Sequence, residues 1–389
     1  MSKTMIFLID GTTNDATCEL FSNVYAINQL IADSKRFRDE PSKTQVTFYL
    51  PGVGTKFTVK RAVNRKKWFF RTDTVRQQIF GDDLEQLILR AYVNLCANYH
   101  VGDEIVLIGF SRGSAAARIL SRFISDLGIL TPDMLMYLDR LWNDFVEISR
   151  AKDEREYYGE IAELKNDLFQ QAKKSVFQRH ATGEEDEGPT IKFLGLFDTV
   201  IGEFDVELCK NVNFRDQFPA KSVEHVVHLL SMHDVRREFE LKRFDIPRDR
   251  PATFREIWMP GVHADVGGGY TEDFISLVAL LTMAEFLRDI ANVALINTNC
   301  EAVRGRIKDY AAANRFVINK EPLVSQRNSR ILSFMQKDDE IHPLHGFLVG
   351  KKVHWKDYSS KPVDYEDTIS DVPTFVDATL QKRFDRWFE

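Results

Sequence analysis

Apolar residues along the chain fall into short unbroken runs separated by longer stretches with helical spacing. The first run, residues 5–9 (MIFLI), stops at Asp10-Gly11-Thr12 and predicts a buried strand ending in a tight turn. Residues 44–50 (TQVTFYL) alternate polar with apolar before Pro51-Gly52 and predict a second strand. Residues 23–32 between them have helical spacing, and strand–helix–strand opens a parallel sheet. A helix is expected over 85–99, from Leu87, Leu89, Ala91, Tyr92 and Leu95, then a strand over 105–108 and an Ala-rich helix over 114–124. Residues 131–179 are helical and charged, with Tyr137, Trp142, Phe145 and Tyr157 among them, and an acidic loop follows at 184–187. This stretch reads as an insertion, either a lid over a site or a plain helical elaboration. Strands are expected at 191–197 and 255–259, a helix at 223–232, and another helix from 274 onward. Beyond about residue 320 the pattern is mixed and predicts no particular element.

The expectation is an α/β fold: a mostly parallel sheet, helices on both faces and a helical insertion at about 131–190. One domain would cover 1–300, with 301–389 as an extension packed on it. The length of 389 residues and a hydrophobic fraction of 44% suit a globular protein with a large core. Net charge of −6 argues against wholesale binding of nucleic acid. The 29 phenylalanines fill a core or line an acyl-binding cleft. Cys18, Cys96, Cys209 and Cys300 are too scattered for a zinc site or disulfide frame. The N-terminal apolar run is too short for a signal peptide. The apolar stretch 274–296 carries Glu285, Arg288 and Asp289, so a buried helix is expected there, not a membrane span. A soluble cytoplasmic protein is expected; secretion without a cleaved signal leaves no mark in a sequence. The segment 60–71 (KRAVNRKKWFFR, from Lys60 to Arg71) joins cations with aromatics and is either a solvated loop or a contact for an anionic membrane surface.

The strongest chemical signal is Gly109-Phe110-Ser111-Arg112-Gly113, set between an apolar strand and an Ala-rich helix. That context makes G-x-S-x-G a nucleophile elbow, in which a sharp turn lifts the serine hydroxyl above the sheet, as in α/β-hydrolases. The two glycines relieve crowding in the turn, and the Arg112 amide at the helix start can face a developing oxyanion. A serine nucleophile needs a base and an orienting acid, in the order Ser, Asp, His along such chains. Asp198 directly follows the strand KFLGLF, and His263 follows REIWM and precedes Gly267-Gly268-Gly269. His225, His228 and His233 sit on the expected helix and are weaker bases; His342 and His345 are second choices. Asp10 would anchor its own turn, leaving Gly11-Thr12 to supply a second oxyanion donor, with Asp265 supporting the histidine loop. No cofactor or metal is expected. A competing reading joins Asp10, His263 and Asp265 around a metal in a phosphodiesterase or phosphatase, and a third is a catalytically silent interaction module.

Six stretches together resemble one family: IDGTTN (9–14), GVGT (52–55), GDEIVLIGFSRGSAAAR (102–118), LGLFDTV (194–200), SMHDVRREF (231–239) and WMPGVHADVGGGY (258–270). They are similar to an uncharacterised α/β-hydrolase domain family that includes phospholipase effectors of the type VI secretion system. The resemblance implies a triad whose serine falls on Ser111, aspartate on Asp198 and histidine on His263. It further implies a lipid or other acyl-ester substrate and a secretion or regulatory partner. Ser114 stands where the family usually has Ala, Phe197 where Trp is frequent, and His233-Asp234-Val235 departs from a D-E-R run, which questions local salt bridging.

Overall fold

The computed structural model describes residues 2–12, 14, 16–33, 44–53, 73–148, 153–178, 189–201, 218–236, 239–245, 253–319, 330–367, 369, 372 and 374–389, with side chains from 84 onward in the helix that starts at 73. The basic segment 60–71, the acidic loop 184–187 and Cys209 lie outside them.

Seven strands form a wholly parallel sheet: β1 (Lys3–Ile9), β2 (Thr44–Leu50), β3 (Glu104–Phe110), β4 (Ile191–Phe197), β5 (Val226–Ser231), β6 (Phe254–Met259) and, after the two-residue β7 (Val317–Ile318) of a smaller sheet, β8 (Glu340–Ile341). Their spatial order is β2-β1-β3-β4-β5-β6-β8. The helices in chain order are α1 (Asn23–Leu30), α2 (Asp73–Asn98), α3 (Arg112–Leu127), α4 (Leu138–Ile148), α5 (Glu154–Ala172), α6 (His263–Gly267), α7 (Phe274–Asp289), α8 (Asn297–Ala312), α9 (Arg330–Phe334), α10 (Leu344–Leu348) and α11 (Ala378–Arg386). The small second sheet pairs β7 with β9 (Lys352–Trp355) and β9 with β10 (Val363–Asp364).

Alternation along β1 divides the core. Met5, Phe7 and Ile9 point into a cluster with Leu95, Leu120, Phe123, Trp142 and Leu168, from α2 to α5. Ile6 and Leu8 point into a second with Ile27, Val278, Leu281, Leu344 and Phe384, from α1, α7, α10 and α11. Helices therefore cover both faces, which is why the central strands read as unbroken apolar runs. Each fully buried Leu, Ile or Phe in these clusters contributes about 1.5–3 kcal/mol from water exclusion. The described part of the insertion is fixed on α3: Trp142 and Phe145 pack edge-on against Phe123, and the Tyr157 hydroxyl donates to the buried Asp126 at 2.6 Å. Much of the Phe content is core, including Phe7, Phe123, Phe193, Phe274 and Phe384.

One element departs from expectation. Residues 226–231, within the expected helix at 223–232, are the strand β5, buried at every position. A strand covered on both faces has no polar side to mark its period, so its apolar run imitates a buried helix. His225 precedes this strand, His228 lies in it and His233 follows it. Among the described residues, no helix is long and apolar enough to cross a membrane.

Candidate active site

The chain runs from β1 to β2 on one side and then to β3 on the other. The order reverses at this point, and the carboxyl ends of the strands beside such a reversal are where α/β sheets gather their ligands. Asp10 follows β1, Ser111 follows β3, Asp198 follows β4, and His263 comes four residues after β6.

Ser111 sits between β3 and α3 at φ 57° and ψ −125°, a conformation that L-residues rarely adopt. The turn is tight because α3 starts against the end of β1: a Cβ on Gly113 would collide with the carbonyls of Ile9 and Asp10. Ser111 caps α3 without a side-chain capping bond. Its amide donates to the Phe197 carbonyl at 3.1 Å, and Phe110 is paired in register with Phe197. The serine thus stands beside the strand end that carries Asp198.

Asp198 also has positive φ, 41°, and is fully buried. Its Oδ2 accepts from His263 Nδ1 at 2.6 Å, and its Oδ1 accepts from the Ser231 amide at 2.8 Å. The Ser231 hydroxyl donates to Oδ2 at 3.1 Å. Arg330 Nη1 donates to Oδ1 at 2.7 Å and to Oδ2 at 2.9 Å. Burial acts to raise the carboxyl pKa, but the Arg330 charge and the hydrogen bond from His263 overcome it and hold Asp198 well below the usual carboxylate range.

His263 opens the short helix α6. Its imidazole packs against Phe110 with ring centroids 4.7 Å apart and meets Phe239 edge-on at 4.8 Å. Gly267 makes this packing feasible, since a Cβ there would overlap the Phe110 ring. The His263 amide donates to Asp234 at 3.1 Å, and Asp234 is paired with Arg236 at 2.6 Å. Salt bridging in the His233-Asp234-Val235 stretch therefore exists despite its departure from the D-E-R pattern. With Nδ1 committed to an ionised Asp198, the imidazole leaves Nε2 to take a proton.

The remaining candidates are placed as follows. Asp10 is buried and accepts from the Gly11 amide at 2.7 Å, the Ser22 hydroxyl at 2.8 Å and the Tyr49 hydroxyl at 2.7 Å. The Gly11 amide is thus engaged by the carboxylate before it. Arg112 Nε donates to the Thr12 hydroxyl and ties the elbow to that loop. Asp265 accepts from the Val262 amide at 2.9 Å, the Asn319 amide at 3.1 Å and Asn319 Nδ2 at 2.6 Å. Burial pushes its carboxyl up to about 7. Asp10, His263 and Asp265 each hold different partners, and the described residues contain no group of three or more His, Cys, Asp or Glu side chains placed to hold a metal.

Three of the rival histidines, His228, His342 and His345, are engaged elsewhere. His228 joins Glu256 and Thr199 in the sheet, at 2.9 Å and 3.0 Å. His342 joins Thr282 at 3.0 Å, and His345 joins Tyr365 at 2.9 Å. The most consequential residue absent from the sequence reading is Arg330. It lies in the stretch with no legible pattern, and a lone arginine 132 positions from its partner gives no local signal.

Residues 3–286 match the family model of the type VI secretion (T6SS) phospholipase effector Tle1-like catalytic domain. An uncharacterized protein of Saccharomyces cerevisiae, YEL023C, is 27% identical over 241 residues, which is 61% of this chain and 32% of the yeast protein. A crystal structure of an uncharacterized protein from Pseudomonas aeruginosa is 19% identical, covers 83% of this chain and 51% of its own, and gives a TM-score of 0.39. The structure of a Tle1 effector bound to the VgrG spike of the type 6 secretion system is 18% identical, covers 70% and 52%, and gives a TM-score of 0.40. The chain spans about a third of the length of the yeast relative and about half of each solved chain. With 3–286 matched by a single family model, the chain belongs to the Tle1-like phospholipase effector family, whose catalytic domain it carries.

Proposed function

We propose that the protein hydrolyses carboxylic esters of lipids, a glycerophospholipid foremost, through Ser111, His263 and Asp198 and a covalent acyl-enzyme. The observation that carries this reading is the buried 2.6 Å pair of His263 Nδ1 and Asp198 beside a strained serine, in a chain of a phospholipase-effector family. In the proposed reaction Ser111 Oγ attacks the ester carbonyl while its proton passes to His263 Nε2. Asp198 holds the imidazole orientation and stabilises the imidazolium. The Arg112 amide, in the first turn of α3, and an amide of the Gly11-Thr12 loop face the oxyanion. His263 returns the proton to the leaving alcohol. Water, deprotonated by the same imidazole, then attacks the acyl-serine and releases the fatty acid.

Family membership supports a lipid substrate, and an acyl chain that leaves water gains about 0.8 kcal/mol per buried methylene. Contact of Lys60 to Arg71 with an anionic membrane rests on composition alone. A secretion or regulatory partner belongs to the same proposal, because the family is one of type VI effectors.

The test is incubation with mixed phospholipid vesicles, following free fatty acid and lysophospholipid, with Ser111→Ala as the blank. Release by the native chain and a drop of about 10⁴-fold or more in Ser111→Ala are expected. Cleavage of short soluble esters alone, never of vesicles or micelles, would remove the lipid substrate. Undiminished cleavage by Ser111→Ala would remove the serine mechanism.

A further inference from the structure

Arg330 comes from beyond the segment that matches the family's catalytic domain, yet it makes a 2.7 Å ionic contact with the candidate acid. It is itself buried, 3% exposed. Besides the two oxygens of Asp198, Nη1 reaches the Ser231 hydroxyl at 2.5 Å and the Ser231 carbonyl at 3.3 Å. Nη2 donates to the Phe239 carbonyl at 2.6 Å. Phe239 in turn packs against the His263 ring, so one guanidinium touches the acid, the residue beside it and a wall of the base.

We propose that Arg330 is a positioning residue of the esterase site: it fixes the Asp198 carboxylate in the one orientation that aims Oδ2 at His263, and its charge sets the acid limit of activity. The proposal rests on the triad reading above. Its physical basis is the sharing of one carboxylate between two cations. In a triad without such a partner, the aspartate gives its whole negative charge to the imidazolium. Here a guanidinium is bonded to both of its oxygens, which offsets that charge and opposes protonation of the neighbouring imidazole. The consequence is an acid that cannot rotate away from the imidazole it orients.

Other charged and titratable groups around the pair are Asp234 on the His263 amide, Arg236 on Asp234, Asp265 in α6 and His228 in β5. They are common to every variant compared, so a difference between variants at position 330 isolates the guanidinium.

The experiment measures kcat/KM for a soluble ester against pH in the full chain, for the native protein, Arg330→Gln and Arg330→Lys, with melting curves to check folding. Arg330→Gln keeps a hydrogen-bonding group but loses the charge, so its acid limb is expected to move to higher pH by about one unit. Arg330→Lys keeps the charge but not the fork, so its limb is expected to stay while kcat falls. A purely structural role would lower both rates and move neither limb, and an unmoved limb in Arg330→Gln overturns the proposal. If Arg330→Gln does not fold, Arg330→Lys decides: a limb displaced upward in that variant, despite its charge, overturns the proposal. Ser111→Ala, run alongside, separates the two readings. Activity surviving in it defeats the triad, whereas a dead Ser111→Ala with an unmoved Arg330→Gln limb defeats only the role of Arg330.

Discussion

Two residues of the candidate site hold backbone conformations that glycine would adopt more readily: Ser111 at φ 57° and Asp198 at φ 41°. Both stand directly after parallel strands, where the chain must turn sharply enough to present a side chain above the sheet edge. Such strain costs of the order of 1–3 kcal/mol per residue and persists because surrounding contacts enforce it. At Ser111 the enforcing contacts are the Phe197 carbonyl and the close approach of Gly113 to the end of β1. A prediction follows from the strain itself. Ser111→Gly and Ser111→Ala both lack the nucleophile, but only glycine relaxes the turn. Urea unfolding is expected to find Ser111→Gly more stable than Ser111→Ala by about 1–2 kcal/mol. Equal stabilities would mean that the turn stores no strain at this residue.

At the scale of elements, the fold is legible where pattern and punctuation agree. The runs at 5–9, 105–108 and 191–197 each lead within three residues to a residue with chemistry, and each lies in a strand. β5 was not legible, because VVHLLS is buried throughout and offers no alternation. Its His228 would have looked out of place in either reading. It is accommodated by a buried chain of polar contacts: Thr199 to His228, His228 to Glu256 at 2.9 Å, Glu256 to Arg243 at 2.9 Å, and Arg243 to Asp339 at 2.9 Å. This chain joins β5 and β6 to the segment that leads into β8. Burial would raise the Glu256 carboxyl, but the hydrogen bond from His228 and the charge of Arg243 bring it down to about 2. In an unfolded chain a Glu titrates near about 4.3. The depressed group thus contributes stability above that pH, and the contribution is lost as pH falls toward 2. Glu256→Gln is therefore expected to be less stable than the native chain at neutral pH and to lose less stability on acidification through this window. Denaturant unfolding at a series of pH values reads both slopes; parallel slopes would contradict the assignment.

For the whole molecule, the site is assembled from parts far apart in sequence, and its legibility differs from part to part. Ser111 announces itself through glycines on either side and a helix behind. Asp198 and His263 are found by chain order and by their places after strands. Asp234, Phe239 and Arg330 reach the pair through tertiary packing; the stretch 231–239 resembles a family motif but gives Asp234 and Phe239 no role, and nothing near Arg330 in sequence marks it. The C-terminal stretch that gave no pattern supplies β8 at the sheet edge, Asn319 on Asp265 and Arg330 on Asp198. Two-residue strands and five-residue helices are too short to carry a period, which is why those elements stayed hidden.

The central claim is that Ser111 is an activated nucleophile served by His263. The most direct measurement is reaction of the full chain with a fluorophosphonate probe, followed by mapping of the labelled peptide. A single stoichiometric adduct on Ser111 is expected, absent in Ser111→Ala and formed far more slowly in His263→Ala, with Asp198→Asn close behind. A folded native chain that takes no label, or takes it equally well after loss of His263, would contradict it.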